Sequence, residues 1–384
     1  MNSGGWVDNF FGGEYFFIAD WDGCDNLGAM TDIDNYQKLK NYADKISKIV
    51  YDEAQYEIEA LFYLTRCCNL TCPGCYMRGS PYQSRDVLPG RDIKFYLDEF
   101  TKISNFTETV VFSGGEIFTA PINYVEYNAH QVLDRGWALQ LKTNGSWVQN
   151  PQTRDSVLAM LRRLQPHRGL RATDADVKRF LGRVPRGVWR ILGRDLTRVL
   201  MYEALPSAPM LDMAVSVDDK LHPVQSADWF NEIAQIITTD RRLRDKVNLK
   251  TFTLSDSVPF FEKNVLNSGK LKIEKFRAHD DKALSIYTVN GRRVESYVGD
   301  FVDVAHIDAV EKLSNITVPA IGDGVGRLVY CFYPDRTVGF DCNYLESVGR
   351  VPYIDEKGEY KSINRIRRDI YTQLVQEYGR AISK

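Results

Sequence analysis

The stretch "EALFYLTRCCNLTCPGCYM" (residues 59–77) places a strand-forming segment directly before a loop that holds four of the chain's seven cysteines. Working outward from it, strands and helices alternate. The periodicity predicts a helix over 91–104, the apolar strand "ETVVFSGG" (108–115) and a helix near 122–135. The strand "WALQLKTNG" (137–145) follows, ending in a turn. Further on come the strand "LDMAVSVDD" (211–219), a helix near 226–238, the strand "KVNLKTFTL" (246–254), a helix near 258–268 and the strand "KLKIEKFRA" (270–278). Alternation of this kind requires crossover connections and a parallel sheet, open or closed into a barrel. Chemistry in such sheets sits at the C-terminal ends of the strands.

Two stretches interrupt the alternation. Residues 150–210 insert extra helices, with Thr173 reading as an N-cap and Pro185 as a helix start. After residue 284 hairpin signals take over: "YTVNGRRVESY" (287–297) has an Asn-Gly turn, and "LVYCFYPDRTVGFDC" (328–342) reads as a second hairpin. An amphipathic helix over 362–382 closes the chain, and another is expected at 34–50. The expected division is an N-terminal extension over 1–57, a core over 58–284 and a small α+β C-terminal domain over 285–384.

With 384 residues, 44% hydrophobic and 26% charged, the composition is that of an ordinary globular protein. No apolar run approaches the ~18–20 residues of a membrane span, and the first residues lack the pattern of a secretory signal. Clustered cysteines, odd in number, argue for ligand or redox roles in a reducing cytoplasm, not for a disulfide scaffold. The net charge of −2 hides a segregation. Residues 1–60 hold 12 acidic and 4 basic residues, whereas residues 161–200 hold 11 basic and 3 acidic.

With Cys67 set aside, the loop reads Cys68-x3-Cys72-x2-Cys75. Pro73 and Gly74 suit a sharp turn. Three thiolates on one short loop can converge on an inorganic centre. A structural zinc site uses four protein ligands, whereas a [4Fe–4S] cluster held by three cysteines leaves one iron open. Zinc would need Cys67 or a distant residue as a fourth ligand. The chain has a single Cys-x2-Cys hook and five scattered histidines, which favours iron–sulfur and keeps zinc as the alternative. Three other strand ends add to the picture: Gly114-Gly115-Glu116, "LKTNG" (141–145), and "VSVDD" (215–219) with Ser216 and Asp218. An open iron, a carboxylate for an amine and several groups for a ribose imply a ligand with an amino acid at one end and a nucleoside at the other.

This ordered set of motifs resembles the radical S-adenosylmethionine (SAM) enzymes over roughly residues 58–280, the insertion apart. The resemblance implies a partial (β/α)6-type TIM-like barrel in the α/β class, with the helical insertion and the small C-terminal domain added to it. It implies that Cys68, Cys72 and Cys75 hold [4Fe–4S] and that Tyr76 sits beside the adenine. The aromatic residue of the family more often precedes the last cysteine, where this chain has Gly74. Gly114, Gly115 and Glu116 would receive the methionine amine of SAM, with Thr143, Asn144, Ser216 and Asp218 near its ribose and carboxylate. Reductive cleavage of SAM would yield a 5′-deoxyadenosyl radical that abstracts hydrogen, with electrons from a reducing partner such as flavodoxin or ferredoxin. The cofactors carry the hard chemistry, so few acid–base residues are expected.

The tail resembles the SPASM or twitch extensions of this superfamily, which use cysteines for auxiliary clusters. A full SPASM domain has seven; here only Cys331 and Cys342 lie beyond residue 75. A degenerate domain with two small thiols is the preferred reading. An auxiliary iron–sulfur cluster or a thiol donor at Cys331 and Cys342 is the alternative. The basic insertion reads by default as a solvated helical face, and otherwise as a lid reading phosphate or carboxylate groups. Nucleic acid is not expected as a partner of a mildly acidic chain. His222, after the "SVDD" strand, reads by default as structural and otherwise as a residue near the active-site rim; Tyr63 and Arg66, on the first strand, are equally uncommitted. The expected activity is dehydrogenation, epimerisation or rearrangement of a small polar metabolite of amino-sugar or nucleotide type. Modification of a ribosomal peptide or protein is the alternative, with an RNA-modifying enzyme and a zinc-stabilised binding module behind it.

Overall fold

A computed structural model describes residues 56–72, 75, 77–83, 86–170, 207–278, 284–299, 320–321, 325–342 and 345–382. The helices expected at 34–50, after Thr173 and from Pro185 lie outside these residues, as do Gly74 and Tyr76. The elements follow the expected alternation: β1 (Tyr56–Thr65), α1 (Gly90–Phe100), β2 (Phe106–Gly114), α2 (Ile122–Leu133), β3 (Ala138–Thr143) and α3 (Pro151–Arg163). A small hairpin, β4 (Arg168–Leu170) with β5 (Ser207–Pro209), brackets the undescribed insertion. Then come β6 (Leu211–Ser216), α4 (Ser226–Thr239), β7 (Asn248–Leu254) and a short α5 (Val258–Phe261) that runs into a wider turn. The chain continues through β8 (Ile273–Ala278), β9 (Leu284–Val289), β10 (Arg292–Gly299), β11 (Ala320–Ile321), β12 (Val325–Phe332), β13 (Thr337–Cys342), β14 (Leu345–Pro352) and α6 (Ile363–Ile382).

Helix starts follow local chemistry. Pro151 occupies the first turn of α3, where a missing N–H costs nothing, and the Asn150 side chain accepts from Thr153 N at 3.0 Å. The expected Asn-Gly hairpin joins β9 to β10, with positive φ at both Asn290 (48°) and Gly291 (76°). That geometry matches the twist of the flanking strands.

The pairing order differs from that of the expected partial (β/α)6 barrel at its sixth strand. One twelve-stranded sheet runs β14-β13-β12-β1-β2-β3-β6-β7-β10-β9-β8, with β11 beside β12. Among the described strands this path does not close on itself. Its centre, β12-β1-β2-β3-β6-β7-β10, is parallel throughout. The segment expected as the sixth parallel strand, β8, instead pairs antiparallel with β9 at the edge, and β10 takes the place beside β7. Strand β12 lies parallel to β1, with Leu61 opposite Cys331. The sheet therefore continues across residue 284 and brings the hairpin expected in a separate C-terminal unit against the first strand.

Alternation along the strands sorts the two faces. On one face Ile58, Ala60, Phe62 and Leu64 of β1 join residues of α1–α4 and α6 in the main core. On the other face Leu61, Tyr63, Met77, Val111, Cys331 and Tyr333 form a smaller cluster against which Cys75 packs. The helix layer thus covers one face; Cys75 and Met77 of the cysteine loop pack on the other, while Leu70 packs against the main core. Among the described residues no helix is long and apolar enough to cross a membrane.

The late strands are tied to α1 by a buried carboxylate. Asp92 accepts from Tyr353 Oη at 2.7 Å and Tyr360 Oη at 2.6 Å, and Tyr96 Oη donates to the Tyr353 carbonyl at 2.9 Å. Tyr353→Phe removes one donor from a carboxylate that is 1% exposed. It should cost about 1–3 kcal/mol of stability, read as a lower midpoint in urea with an unchanged slope.

Candidate active site

The cysteine loop leaves the C-terminal end of β1 and is held at its base by backbone contact with the end of β2. Gly115 N donates to Thr65 O at 2.8 Å, and Glu116 N donates to Cys67 O at 3.0 Å. Both glycines are required by space. A Cβ on Gly114, whose φ is +145°, would lie 2.4 Å from Thr65 O, and one on Gly115 would lie 2.4 Å from Cys67 O. The close approach is therefore to the loop's own backbone. On its return the loop is fixed again: Cys68 N donates to Ser80 O at 3.2 Å, and Gly79 packs over Gly115. Thr119 Oγ1 adds a 3.0 Å bond to Cys67 O.

Cys68 is buried, whereas Cys72 and Cys75 are half-buried. Cys68 Sγ accepts from Leu70 N at 3.4 Å and lies 3.7 Å from Asn144 Nδ2. Burial pushes the Cys68 thiol up to about 12, and Glu116, Cys72 and Cys75 add to the rise. Burial, then Cys75 and Asp218, raise Cys72 to about 11. Thiols raised in this way would shed their protons to a centre bringing positive charge. The donor set fits an iron–sulfur cluster in that respect. Among the described residues no three Cys, His, Asp or Glu side chains converge on one point as a single metal ion would need. A cubane takes its thiolates on separate irons.

Glu116 occupies the centre of the rim, 2% exposed. Its carboxylate accepts from Phe118 N at 3.1 Å, from Thr143 Oγ1 at 2.8 and 2.9 Å, and from Asn144 N at 2.7 Å. Burial raises its pKa, and these hydrogen bonds work against the rise. The carboxylate expected to meet an ammonium group thus holds the ends of β2 and β3 together. Thr143 also accepts from Gly145 N at 3.0 Å, completing the turn. Asn144 Oδ1 accepts from Ser146 N at 2.9 Å while Asn144 Nδ2 donates to Asn69 Oδ1 at 3.1 Å, and Asn69 Nδ2 reaches Ser146 Oγ at 2.6 Å. Asn69 and Ser146 had no sequence signal beyond adjacency to Cys68 and Asn144.

At the end of β6, Ser216 pairs with Phe252 of β7. Asp218 follows, 3% exposed. Its Oδ1 accepts from the backbone N–H groups of Lys220, Leu221 and His222 at 3.1, 2.7 and 3.0 Å. Its Oδ2 lies 2.6 Å from His222 Nδ1. Burial opposes ionisation of Asp218, but His222 and these N–H groups outweigh it and hold the pKa below the usual range. His222, unassigned from sequence, is thus bound to an expected site residue. Asp218 adds to the rise of the Cys72 thiol, and His222 works against the rise of Glu116.

The other candidates disperse. Tyr63 packs against Tyr333 with its ring tilted by 30° and the centroids 4.7 Å apart, and Arg66 pairs with Asp335 at 2.8 Å. Cys331 is buried opposite Gly339 in the β12–β13 ladder, whereas Cys342 pairs with Leu345 at the far end of β13. Of the basic insertion, Arg162 pairs with Asp240 at 2.7 Å and Arg163 with Glu126 at 2.6 Å; residues 171–206 lie outside the described set.

No protein-family model matches the chain, and no curated protein matches it. Among solved structures the chain is similar to Streptococcus suis SuiB bound to S-adenosylmethionine, at 12% identity and a TM-score of 0.34, covering 79% of this chain and 64% of that one. A second SuiB structure covers 82% of this chain and 67% of that one, again at 12% identity and 0.34. Native anSMEcpe with bound AdoMet and Cp18Cys peptide gives 12% identity and 0.27, over 54% of this chain and 48% of that one. Likeness at this level fixes neither fold nor family.

Two substitutions test the geometry. Gly115→Ala drives a Cβ into Cys67 O and should cost about 1–3 kcal/mol in urea unfolding as the base of the loop is displaced. Glu116→Gln turns an N–H toward Asn144 N or Thr143 Oγ1 and should cost about 1–3 kcal/mol in urea unfolding; unchanged stability would remove Glu116 from its place as the rim's organiser.

Proposed function

We propose that this chain is a radical SAM enzyme acting on a small polar metabolite. The observation that carries the reading is the loop itself: three thiols in Cys-x3-Cys-x2-Cys spacing at the C-terminal end of β1, clamped by a Gly-Gly strand end beside a buried polar rim. Cys68, Cys72 and Cys75 would hold a [4Fe–4S] cluster. When bound, that cluster supplies the electron that cleaves SAM to start radical chemistry. The chain's own residues do the rest. Gly114 and Gly115 set the loop against β2, and Glu116 fixes Thr143 and Asn144. Asn144 Nδ2, beside Cys68 Sγ, lends a weak donor to a sulfur ligand. Ser216, Asn144 and the Asp218–His222 pair line the rim for the SAM nucleoside, and Tyr76 keeps its sequence-based assignment beside the adenine.

A polar substrate is favoured by the sheet face that carries the loop. Lys250 Nζ lies 3.1 Å from Asp212 Oδ2 and 3.3 Å from Glu295 Oε2, and Tyr297 Oη donates to Glu295 at 2.9 Å. Lys142 shares this face, its Nζ 5.3 Å from the Phe252 ring centroid. Ionic groups on a partly covered face must be hydrogen-bonded to persist there, and they suit a hydrophilic ligand better than an apolar one. The residues packed around Cys331 support a structural thiol there in place of an auxiliary cluster.

The test is iron and sulfide content after anaerobic reconstitution, with 5′-deoxyadenosine formation under dithionite as second readout. The Cys68/Cys72/Cys75 triple alanine variant should lose all iron and all SAM cleavage, and Cys331→Ala should keep both. Zinc in place of iron in the wild type would overturn the proposal, and iron retained by the triple variant would revive the auxiliary centre.

A further inference from the structure

The sheet face opposite the helix layer carries two lysines, and their surroundings differ. Strand register places Lys142 of β3 beside Ala214 of β6, Ala214 beside Lys250 of β7, and Lys250 beside Glu295 of β10. Lys250 is neutralised on both sides, its Nζ 3.1 Å from Asp212 Oδ2 and 3.3 Å from Glu295 Oε2. Those carboxylates are also shared with neutral donors: Asn248 Nδ2 reaches Asp212 Oδ1 at 3.1 Å, and Tyr297 Oη reaches Glu295 at 2.9 Å. Lys142 has no such partner. Among the described residues its ammonium makes neither a hydrogen bond nor an ion pair. The side chain is half-buried and crosses β6, where its neighbour is the small Ala214, to reach the ring of Phe252 on β7. That ring is itself stacked on Tyr297, with centroids 5.4 Å apart.

Resting on the function proposed above, we infer that Lys142 anchors an anionic group of the substrate, so that the small polar metabolite carries a carboxylate or a phosphate. An ammonium drawn out of bulk water needs a counter-charge, and the face of a ring compensates it less than a carboxylate does. Lysine stems ordinarily carry the charged head out to water. Here the stem is laid along the sheet face. The acids of that face are already committed to Lys250, so a counter-charge for Lys142 has to come with a ligand. Ser113 of β2, opposite Tyr63 in the ladder, lies on the same face. It offers a hydroxyl that has no hydrogen-bond partner among the described residues. Position suits the role as well. Lys142 immediately precedes Thr143, the last residue of β3, so an anion held there lies next to the rim. A cationic substrate would meet an unspent lysine and two spent carboxylates, and the face selects against it.

The test is amine labelling of the reconstituted protein by a neutral N-hydroxysuccinimide ester, read at each lysine by mass spectrometry. Labelling is run in potassium chloride, potassium acetate and potassium phosphate at equal pH and ionic strength. Lys142 should react in chloride and be protected saturably, by about fivefold or more near saturation, in acetate, in phosphate or in both. Lys270, whose side chain is 55% exposed, should react alike in all three salts. Protection by acetate assigns the substrate group as a carboxylate, protection by phosphate assigns it as a phosphate, and protection by both establishes the shared anion site. Equal reaction of Lys142 in the three salts overturns the inference. So does a Lys142 that fails to react in chloride, because an amine closed to the reagent is closed to a substrate. SAM at saturation should leave the anion protection in place. Protection of Lys142 by SAM alone gives the lysine to the carboxylate of SAM and overturns the substrate assignment. Iron content and SAM cleavage are measured on the same preparation. If both are present and Lys142 is unprotected, this inference falls alone. If both are absent, the proposed function falls, and the substrate role of Lys142 falls with it even where an anion protects the amine.

Discussion

The close backbone approach between the end of β2 and the base of the cysteine loop is the constraint on which the site depends. Gly114 and Gly115 lie so near Thr65 and Cys67 that a single methyl group would overlap a carbonyl oxygen. Two hydrogen bonds cross that contact and orient the loop at its root. Three thiols on a loop of their own would spread over many conformations, and gathering them around a centre would carry the entropic cost of ordering the loop. Fixing the root against a rigid strand meets part of that cost during folding.

Glu116 extends the same logic across the rim. Its carboxylate is buried beside thiols that are themselves pushed up by burial, an arrangement tolerable because the charge is met by Thr143, Asn144 N and Phe118 N. The strand ends of β2 and β3 are thereby joined through one carboxylate. Asp218 repeats the pattern at the end of β6, with a buried carboxylate saturated by its own turn and by His222. In both places a buried carboxylate is met by donors of the protein itself.

Much of the architecture was legible because it is local. The Asn290-Gly291 turn, the Pro-initiated α3 and the strand-helix order each follow from residues within a few positions of one another. Cysteine spacing and the Gly-Gly-Glu strand end were equally readable as a constellation. Sheet order was not. "KLKIEKFRA" carries a strand pattern that suits an edge as well as a parallel interior position, and nothing in its composition says that β10 will displace it from β7. The hairpin over 328–342 has the right turn, but its pairing with β1 joins residues some 270 positions apart.

The sequence by itself determined which segments become strands and helices, where the turns fall, and that three thiols share one loop after the first strand. Periodicity, turn stereochemistry and spacing are short-range properties, and they act before any distant contact forms. Only the tertiary structure decided which strands become neighbours and which way the polar side chains of the rim are spent. A carboxylate can serve a ligand, a backbone turn or a histidine with the same atoms. The choice is made by whichever donors the packed sheet brings within 3 Å, as it does for Glu116 and Asp218.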